Sequence, residues 1–230
     1  MYARIFYSYT GHNPYNPINN IHGANPIFHN GNLFLPDLMG NVVSINGSNG
    51  KENWKKRLPV PVAKRGITID ENKNYLFVPS GNGIFKLNSI NGKILDIYKV
   101  KEKSFEKKIN KYGVSAVRGS NVFLVPPVVI EDQLVAVNMN SQVISFSLET
   151  KKINWVIPLR KENFKKGAHP WSAISYDKNR KHLYVVTGNP QSKNTFMLGF
   201  DREGNNLYSN SVVCIDVIKE KIEWYFQDTS

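Results

Sequence analysis

The most informative stretch of the sequence runs Val43-Ser44-Ile45-Asn46-Gly47-Ser48-Asn49-Gly50-Lys51-Glu52-Asn53-Trp54. Its first residues alternate between apolar and polar side chains, which is the period of a β-strand with one buried face. The Asn and Gly residues that follow favour a turn, and a second strand then leads into a large aromatic side chain. The stretch therefore predicts a β-hairpin that presents a tryptophan on its second strand.

The same unit occurs four times along the chain. In each copy an apolar residue stands nine positions before a position that carries Trp in three copies and Asp in one, which we call the slot. The pairs are Ile45 with Trp54, Leu87 with Asp96, Phe146 with Trp155, and Ile215 with Trp224. Successive apolar residues are separated by 42, 59 and 69 residues. One spacing found four times indicates a repeat architecture with insertions between the copies.

Two further candidate strands precede each copy. The nearer ones are Asn32–Leu35, Tyr75–Val78, Gln133–Val137 and Leu183–Thr187, and the farther ones are Ala24–Phe28, Gly66–Asp70, Pro127–Ile130 and Ser172–Tyr176. Four strands in a unit are typical of a β-propeller blade, so we expect an all-β chain of about four blades. The charged Lys99–Lys111 stretch is expected to be an exposed, helix-like insertion.

The repeat also predicts the domain organisation. A polar N-terminal segment, 1–23, precedes a partial propeller over 24–230. The expected blades span 24–60, 66–112, 122–165 and 172–228.

The composition excludes several classes of protein. Hydrophobic residues make up 41% of the 230 residues and charged ones 21%, which does not fit a disordered chain. The net charge of +12 comes from 23 Lys and only 7 Arg. We therefore expect a solvated, Lys-rich surface and no nucleic-acid partner, because nucleic-acid sites favour Arg. Cys214 is the only cysteine, which excludes a disulfide scaffold.

Other motifs are absent from the sequence. No apolar run is long enough for a membrane-spanning helix, and the stretch Met1–Thr10 lacks the pattern of a signal peptide. The chain also has no zinc-type His/Cys spacing and no nucleotide-binding glycine loop.

The repeat resembles the tryptophan-docking repeat of quinoprotein dehydrogenases, which are eight-bladed propellers that use pyrroloquinoline quinone (PQQ). Similar blades also occur in non-catalytic scaffolds, including outer-membrane assembly lipoproteins. In both cases the resemblance implies that Trp54, Trp155 and Trp224 pack between blades and fix their spacing.

The last third of the chain carries the more specific likeness. The segments Pro170-Trp171-Ser172, Tyr176-Asp177 and Tyr184–Pro190 resemble the pattern of quinoprotein alcohol and sugar dehydrogenases. The segments Asp201–Ser211 and Trp224–Gln227 are similar to later parts of that pattern, and Arg65-Gly66-Ile67 and Pro126–Val129 are similar to earlier parts. The likeness covers most of residues 24–230.

The resemblance implies two site residues. Trp171 would form the aromatic floor on which the planar quinone lies, and Asn189 would donate its side-chain oxygen to a calcium ion beside the quinone. Calcium would act there as a Lewis acid. Structural roles for the same residues remain open, since Trp171 could pack between blades and Asn189 could simply form a turn.

The chain departs from the family pattern at its other site positions. The family's glutamate ligand to calcium has no counterpart in Leu134–Ser141, where Asn138 or Asn140 is the available substitute. The catalytic aspartate and an arginine that holds the quinone are expected beyond Ser230, so no catalytic residue is assigned within this chain.

The resemblance implies a function that this chain alone is not expected to perform. It would be part of an enzyme that oxidises an alcohol or a sugar with PQQ and Ca²⁺ in the periplasm and passes electrons to a cytochrome or ubiquinone. The missing remainder of the propeller would be a further partner. The alternative is a non-catalytic propeller that binds other proteins.

Overall fold

The structure, a computed structural model, describes residues 24–36, 41–59, 62, 63, 65–100, 122–160, 168–190 and 206–228. These residues form seventeen strands and no helix. In that part of the chain, then, no helix is available that could cross a membrane. Most of the Lys99–Lys111 stretch lies outside the described residues, and Lys99 itself ends a strand.

The strands form four antiparallel sheets in chain order. The first sheet contains β1 (Ile27–His29), β2 (Asn32–Pro36), β3 (Asn41–Asn46) and β4 (Glu52–Arg57), and the second contains β5 (Thr68–Asp70), β6 (Tyr75–Ser80), β7 (Gly83–Asn88) and β8 (Ile94–Lys99). The third contains β9 (Val128–Ile130), β10 (Gln133–Val137), β11 (Gln142–Ser147) and β12 (Ile153–Pro158).

The fourth sheet has one more strand than the others. It contains β13 (Ala168–Pro170), β14 (Ser175–Asp177), β15 (His182–Pro190), β16 (Ser211–Asp216) and β17 (Lys221–Gln227). The long strand β15 pairs with β14 along its first half and with β13 near its end. The residues around Trp171 and Asn189 therefore lie near the edge of this sheet that β13 forms.

A β-bulge explains the nine-residue spacing of the repeat. In each sheet the register of the last two strands shifts just before the apolar repeat residue, between Ser44 and Ile45, Lys86 and Leu87, Ser145 and Phe146, and Cys214 and Ile215. The slot residue pairs with the residue before that shift, as Trp54 does with Ser44. Since neighbouring strand residues point to opposite faces, Ile45 and Trp54 face opposite sides of their sheet.

Three apolar cores lie between successive sheets. The first contains Phe34, Val42, Leu76, Val78, Phe85 and Leu87; the second contains Phe77, Ile84, Tyr98, Leu134, Ile144 and Phe146; and the third contains Val135, Val143, Trp155, Leu183, Val213 and Ile215. Each repeat residue from Leu87 onward thus packs against the preceding sheet. Sheets stacked face to face in chain order are the blades of a partial β-propeller, which confirms the expected fold class.

Each slot residue faces the following sheet. The indole of Trp54 packs on the turn of the second sheet, and its Nε1 donates a hydrogen bond to the Ser89 carbonyl at 3.0 Å. Asp96 occupies the slot of the second sheet and forms an ion pair with Lys151 at 2.7 Å. Trp155 is buried in the core between the third and fourth sheets. The slots therefore join neighbouring blades, by packing or by charge.

Candidate functional site

The inner side of the propeller is marked by the first strands of the blades. Strand β5 contacts β9, although they belong to different sheets. The Thr68 hydroxyl in β5 donates a hydrogen bond to the carbonyl of Pro127, just before β9. Because first strands of different blades meet only around a central axis, the segments next to β5, β9 and β13 line the centre of the partial propeller.

Trp171 lies at this centre and contacts a residue from a non-neighbouring blade. It follows β13 of the fourth sheet, and the Arg65 side chain reaches it from just before β5 of the second sheet. The Arg65 guanidinium carbon lies 4.7 Å from the centroid of the Trp171 ring, within the range of a cation–π contact. Arg65 Nη1 also donates a hydrogen bond of 2.6 Å to the Trp171 carbonyl.

The surroundings of Trp171 differ from those of the slot tryptophans. Trp54 and Trp155 pack in the cores between adjacent sheets, whereas Trp171 is half-buried and carries a cation on its ring. This placement agrees with a role at the centre of the propeller. The role of Trp171 as a cofactor floor stays a prediction.

No sequence motif assigns a site role to Arg65, although the segment Arg65-Gly66-Ile67 resembles a family segment. Gly66 has φ +126, a backbone conformation that side-chain-bearing residues rarely adopt. This residue turns the chain between Arg65 and β5. The sequence signal for this part of the site is therefore an Arg-Gly pair directly before a strand of alternating residues.

The charge of Arg65 persists at this position. Partial burial lowers the pKa of the Arg65 guanidinium from its usual value. An arginine stays protonated near neutral pH even so. The centre thus offers an aromatic ring and a fixed positive charge side by side, a combination that suits a planar anion.

Asn189 lies near the edge of the fourth sheet that Trp171 follows. It belongs to the end of β15, where Pro190 pairs with Ala168 and Thr187 pairs with Pro170, the residue before Trp171. This end of the strand is well anchored, since the Gly188 carbonyl accepts a hydrogen bond of 2.9 Å from the Asn210 amide. The Asn189 side chain is exposed, and its role as a metal ligand stays a prediction.

The turn that was expected to replace the glutamate ligand lies close to this strand end. The Ser141 hydroxyl donates a hydrogen bond of 2.5 Å to the carbonyl of Ala168. Within the turn, the Asn138 side-chain oxygen accepts hydrogen bonds from the Asn140 and Gln142 amides, each at 3.0 Å. Asn138 therefore serves to hold its own turn.

The residues around this turn fit a calcium ion poorly. Arg160 Nη1 donates a hydrogen bond of 3.0 Å to the Asn140 side-chain oxygen, which places a positive charge where a cation would bind. The described residues contain no group of three or more His, Cys, Asp or Glu side chains that could hold a metal. Calcium sites usually include carboxylates. The described residues around this turn therefore do not form a calcium site by themselves.

The fold and the central ring–cation pair define a class of protein, a β-propeller built from tryptophan-docking blades. The family model described as "PQQ: Glucose/ethanol/alcohol dehydrogenase, beta-propeller domain" matches residues 8–229. The chain therefore belongs to this family. No curated protein sequence matches the chain.

Solved structures similar to this chain include enzymes of that family. Quinohemoprotein alcohol dehydrogenase from Comamonas testosteroni is 18% identical with a TM-score of 0.67, and the match covers 91% of this chain and 35% of that one. A europium-containing methanol dehydrogenase is 15% identical with a TM-score of 0.65, and the match covers 90% and 42%. BamB from Moraxella catarrhalis is 11% identical with a TM-score of 0.57, and the match covers 90% and 50%.

At these identities the structural likeness shows the fold. The chain spans between about a third and a half of the length of these three structures.

Proposed function

We propose that this chain is part of a quinoprotein dehydrogenase that oxidises an alcohol or a sugar, and that Trp171 and Arg65 bind its PQQ. The observation that carries the proposal is the Arg65 guanidinium 4.7 Å from the Trp171 ring centroid, a contact between the second and fourth blades. The family match supports the cofactor class.

The two side chains suit the two chemical parts of PQQ. The indole of Trp171 is a flat apolar surface against which a conjugated ring system stacks. A guanidinium recognises a carboxylate through paired hydrogen bonds, and PQQ carries carboxylates around its ring system. When bound, PQQ supplies the electron-accepting group for alcohol oxidation. The chain's own residues orient this group, and the bond from Arg65 to the Trp171 carbonyl keeps the cation beside the ring.

We propose separately that Asn189 is one of the calcium ligands. Asn189 is the predicted calcium ligand in the fourth sheet, where its exposed side chain lies near the end of β15, the strand that pairs with β13. The carboxylate ligands, the catalytic base and the acceptor-binding surface would all be supplied from outside the described residues. We accordingly expect this chain to bind PQQ with an affinity that depends little on Ca²⁺. The periplasm and a cytochrome or ubiquinone acceptor are proposed on the family match alone.

The test is equilibrium dialysis of the purified chain against PQQ, with the bound quinone measured by absorbance. Arg65→Met removes the cation, and we expect the dissociation constant to rise about tenfold or more, as for loss of a charged hydrogen bond. Arg180→Met is the matched control, because the Arg180 side chain is exposed on the turn between β14 and β15 and forms an ion pair with Asp177. This control should bind PQQ as the wild type does.

Variants of Trp171 separate stacking from general loss of structure. Trp171→Leu should weaken PQQ binding, whereas Trp171→Phe should retain most of it because a smaller aromatic floor remains. Equal loss in all variants, including Arg180→Met, would contradict a specific site. No binding of PQQ by the wild-type chain at any Ca²⁺ concentration would contradict the proposal as a whole.

A non-catalytic propeller that binds other proteins is the second candidate function. The poor fit to calcium and the likeness to BamB favour it. The Arg65–Trp171 pair opposes it, because a scaffold does not need a cation on an aromatic ring at its centre. Stable folding without any PQQ binding would support this candidate.

A further inference from the structure

The Arg65 side chain makes two separate contacts with Trp171, and both involve the guanidinium group. The guanidinium carbon lies over the indole, 4.7 Å from the centroid of the ring. The Nη1 atom donates a hydrogen bond of 2.6 Å to the carbonyl of the same residue. Together the two contacts hold a flat, charged group over the indole.

This position is the one that a stacked ligand would need. Two conjugated rings in contact have their centroids about 4.5–7 Å apart. The guanidinium carbon, at 4.7 Å from the centroid, lies within that layer. Trp171 is also only partly exposed, so little of its ring is left for a ligand while Arg65 lies there. A planar ligand that stacks on this face therefore has to displace the guanidinium.

The backbone that carries Arg65 is fixed, although its side chain is exposed. Gly66 is buried, and a Cβ atom there would lie 3.5 Å from Cγ of Pro126. Just beyond it, the Thr68 hydroxyl donates a hydrogen bond to the carbonyl of Pro127. The guanidinium would therefore leave the indole by rotation of the side chain, while the strand stays in place.

The indole is held more firmly than the cation. Pro170, directly before Trp171, pairs with Thr187 in β15. Thr187 is buried, and its hydroxyl donates a hydrogen bond to the carbonyl of Tyr208. The aromatic ring is thus attached to the sheet, and the guanidinium is the part of the contact that is able to move.

A carboxylate is the natural competitor for this guanidinium. Among the described residues, no Asp or Glu forms an ion pair with Arg65. A guanidinium binds a carboxylate through two parallel hydrogen bonds, whereas Trp171 offers a ring and a single carbonyl. A carboxylate on a ligand should therefore draw Arg65 away from the ring.

We propose that Arg65 is a gate on the Trp171 ring. The guanidinium covers the indole until a carboxylate of the ligand binds it, and the planar part of the ligand then stacks on the uncovered ring. For PQQ, which combines a planar ring system with carboxylates, the gate rests on the function proposed above. A planar molecule without a carboxylate offers the guanidinium no partner, so the gate selects against it.

The first experiment measures how far the ring is covered and needs no ligand. The chain is labelled with fluorotryptophan, and the fluorine resonance of Trp171 is identified by its loss in Trp171→Phe. The shift of this resonance between light and heavy water reports the access of solvent to the ring. We expect a larger shift in Arg65→Ala, because the covering group is gone. The Trp54 resonance should not change, since this indole packs between the first two sheets.

The second experiment compares two planar probes that differ in charge, a naphthalene dicarboxylate and the matching uncharged diamide. The Trp171 resonance is used to measure both affinities. Arg65→Ala should weaken binding of the dicarboxylate about tenfold, as for loss of a charged hydrogen bond. It should strengthen binding of the diamide about two- to fivefold, the equivalent of one cation–π contact at an exposed site. A residue that only binds the ligand would leave the neutral probe unaffected, so the opposite signs identify a gate.

Arg180→Ala is the matched control. The Arg180 side chain is exposed on the turn between β14 and β15 and pairs with Asp177. The variant loses the same charge as Arg65→Ala, so any general effect of net charge on the anionic probe appears in both. The Trp171 resonance and both affinities should stay close to those of the wild type. Alanine is used in place of methionine because a long side chain would itself cover the ring.

Two results would overturn the gate. One is an equal solvent shift of the Trp171 resonance in the wild type and in Arg65→Ala, since the ring would then be uncovered in both. The other is a diamide affinity that does not rise in Arg65→Ala, which would make Arg65 an ordinary binding residue. PQQ binding combined with either result would leave the proposed function standing without the gate. The expected shifts and affinities without PQQ binding would leave a gate for another planar anion.

Discussion

Trp54 and Trp224 occupy the same slot of the repeat in opposite situations. Trp54 is half-buried against Gly92, donates its Nε1 hydrogen to Ser89, and lies 6.1 Å from the Phe34 ring. Trp224 is 47% exposed, and its ring contacts Tyr184 within its own sheet at 5.9 Å. The repeat thus fixes where the side chain points, while the next blade determines whether the side chain stabilises the fold.

Truncating the two tryptophans should give the largest difference. Trp54→Ala removes packing between two blades and should lower the free energy of unfolding by about 3 kcal/mol. Trp224→Ala should lower it by less than about 1 kcal/mol, because an exposed side chain loses little on truncation. Urea unfolding of the two variants and the wild type checks both values. Equal losses would show that the slot, and not the neighbouring blade, determines the stabilisation.

The two glycine turns sharpen the same comparison. Gly92→Ala and Gly50→Ala both place a side chain at a positive φ, which costs about 1–2 kcal/mol in each case. Gly92→Ala adds a clash with the Trp54 indole, so we expect a further loss of about 1–3 kcal/mol. The difference between the variants, measured by urea unfolding, isolates the contact between Gly92 and Trp54. A difference near zero would mean that the indole moves aside without cost.

Replacing the indoles of Trp54 and Trp155 by phenylalanine tests their hydrogen bonds. The Nε1 of Trp54 has an acceptor in the Ser89 carbonyl, whereas the buried Nε1 of Trp155 has no partner among the described residues. An unpaired buried N–H is unfavourable, so Trp155→Phe should be less destabilising than Trp54→Phe by about 1 kcal/mol. Thermal unfolding of both variants measures this difference. A larger loss at Trp155 would indicate that Nε1 does have an acceptor in solution.

The fold could be predicted from the sequence because its signals are local. The nine-residue distance from Ile45 to Trp54 is set by one turn and one bulge within a single hairpin. Pairing of Asp96 with Lys151 could not be predicted in the same way, since it joins two repeats whose separation depends on an insertion. The sequence therefore predicts the blades better than the contacts between them.

The site was less accessible to sequence reasoning. Trp171 and Asn189 were proposed from a resemblance, and the structure brings their strands together without testing either role. Arg65 acquires its position next to Trp171 only because three blades curve around a centre, over a separation of 106 residues. Such a contact leaves no periodic pattern in the sequence. The hydrogen bond from Arg160 to the Asn140 side chain likewise depends on tertiary structure.

The buried Cys214 gives the last hairpin of the fourth sheet, β16–β17, a chemical reporter. This residue pairs directly with Trp224 across the last two strands and is fully buried. Burial also raises the pKa of the Cys214 thiol, so that little reactive thiolate forms near neutral pH. A thiol reagent can therefore label the chain only when the structure around Cys214, which is paired with both Tyr184 and Trp224, opens. As the chain has a single thiol, the labelling rate measures how often this part of the fourth sheet opens.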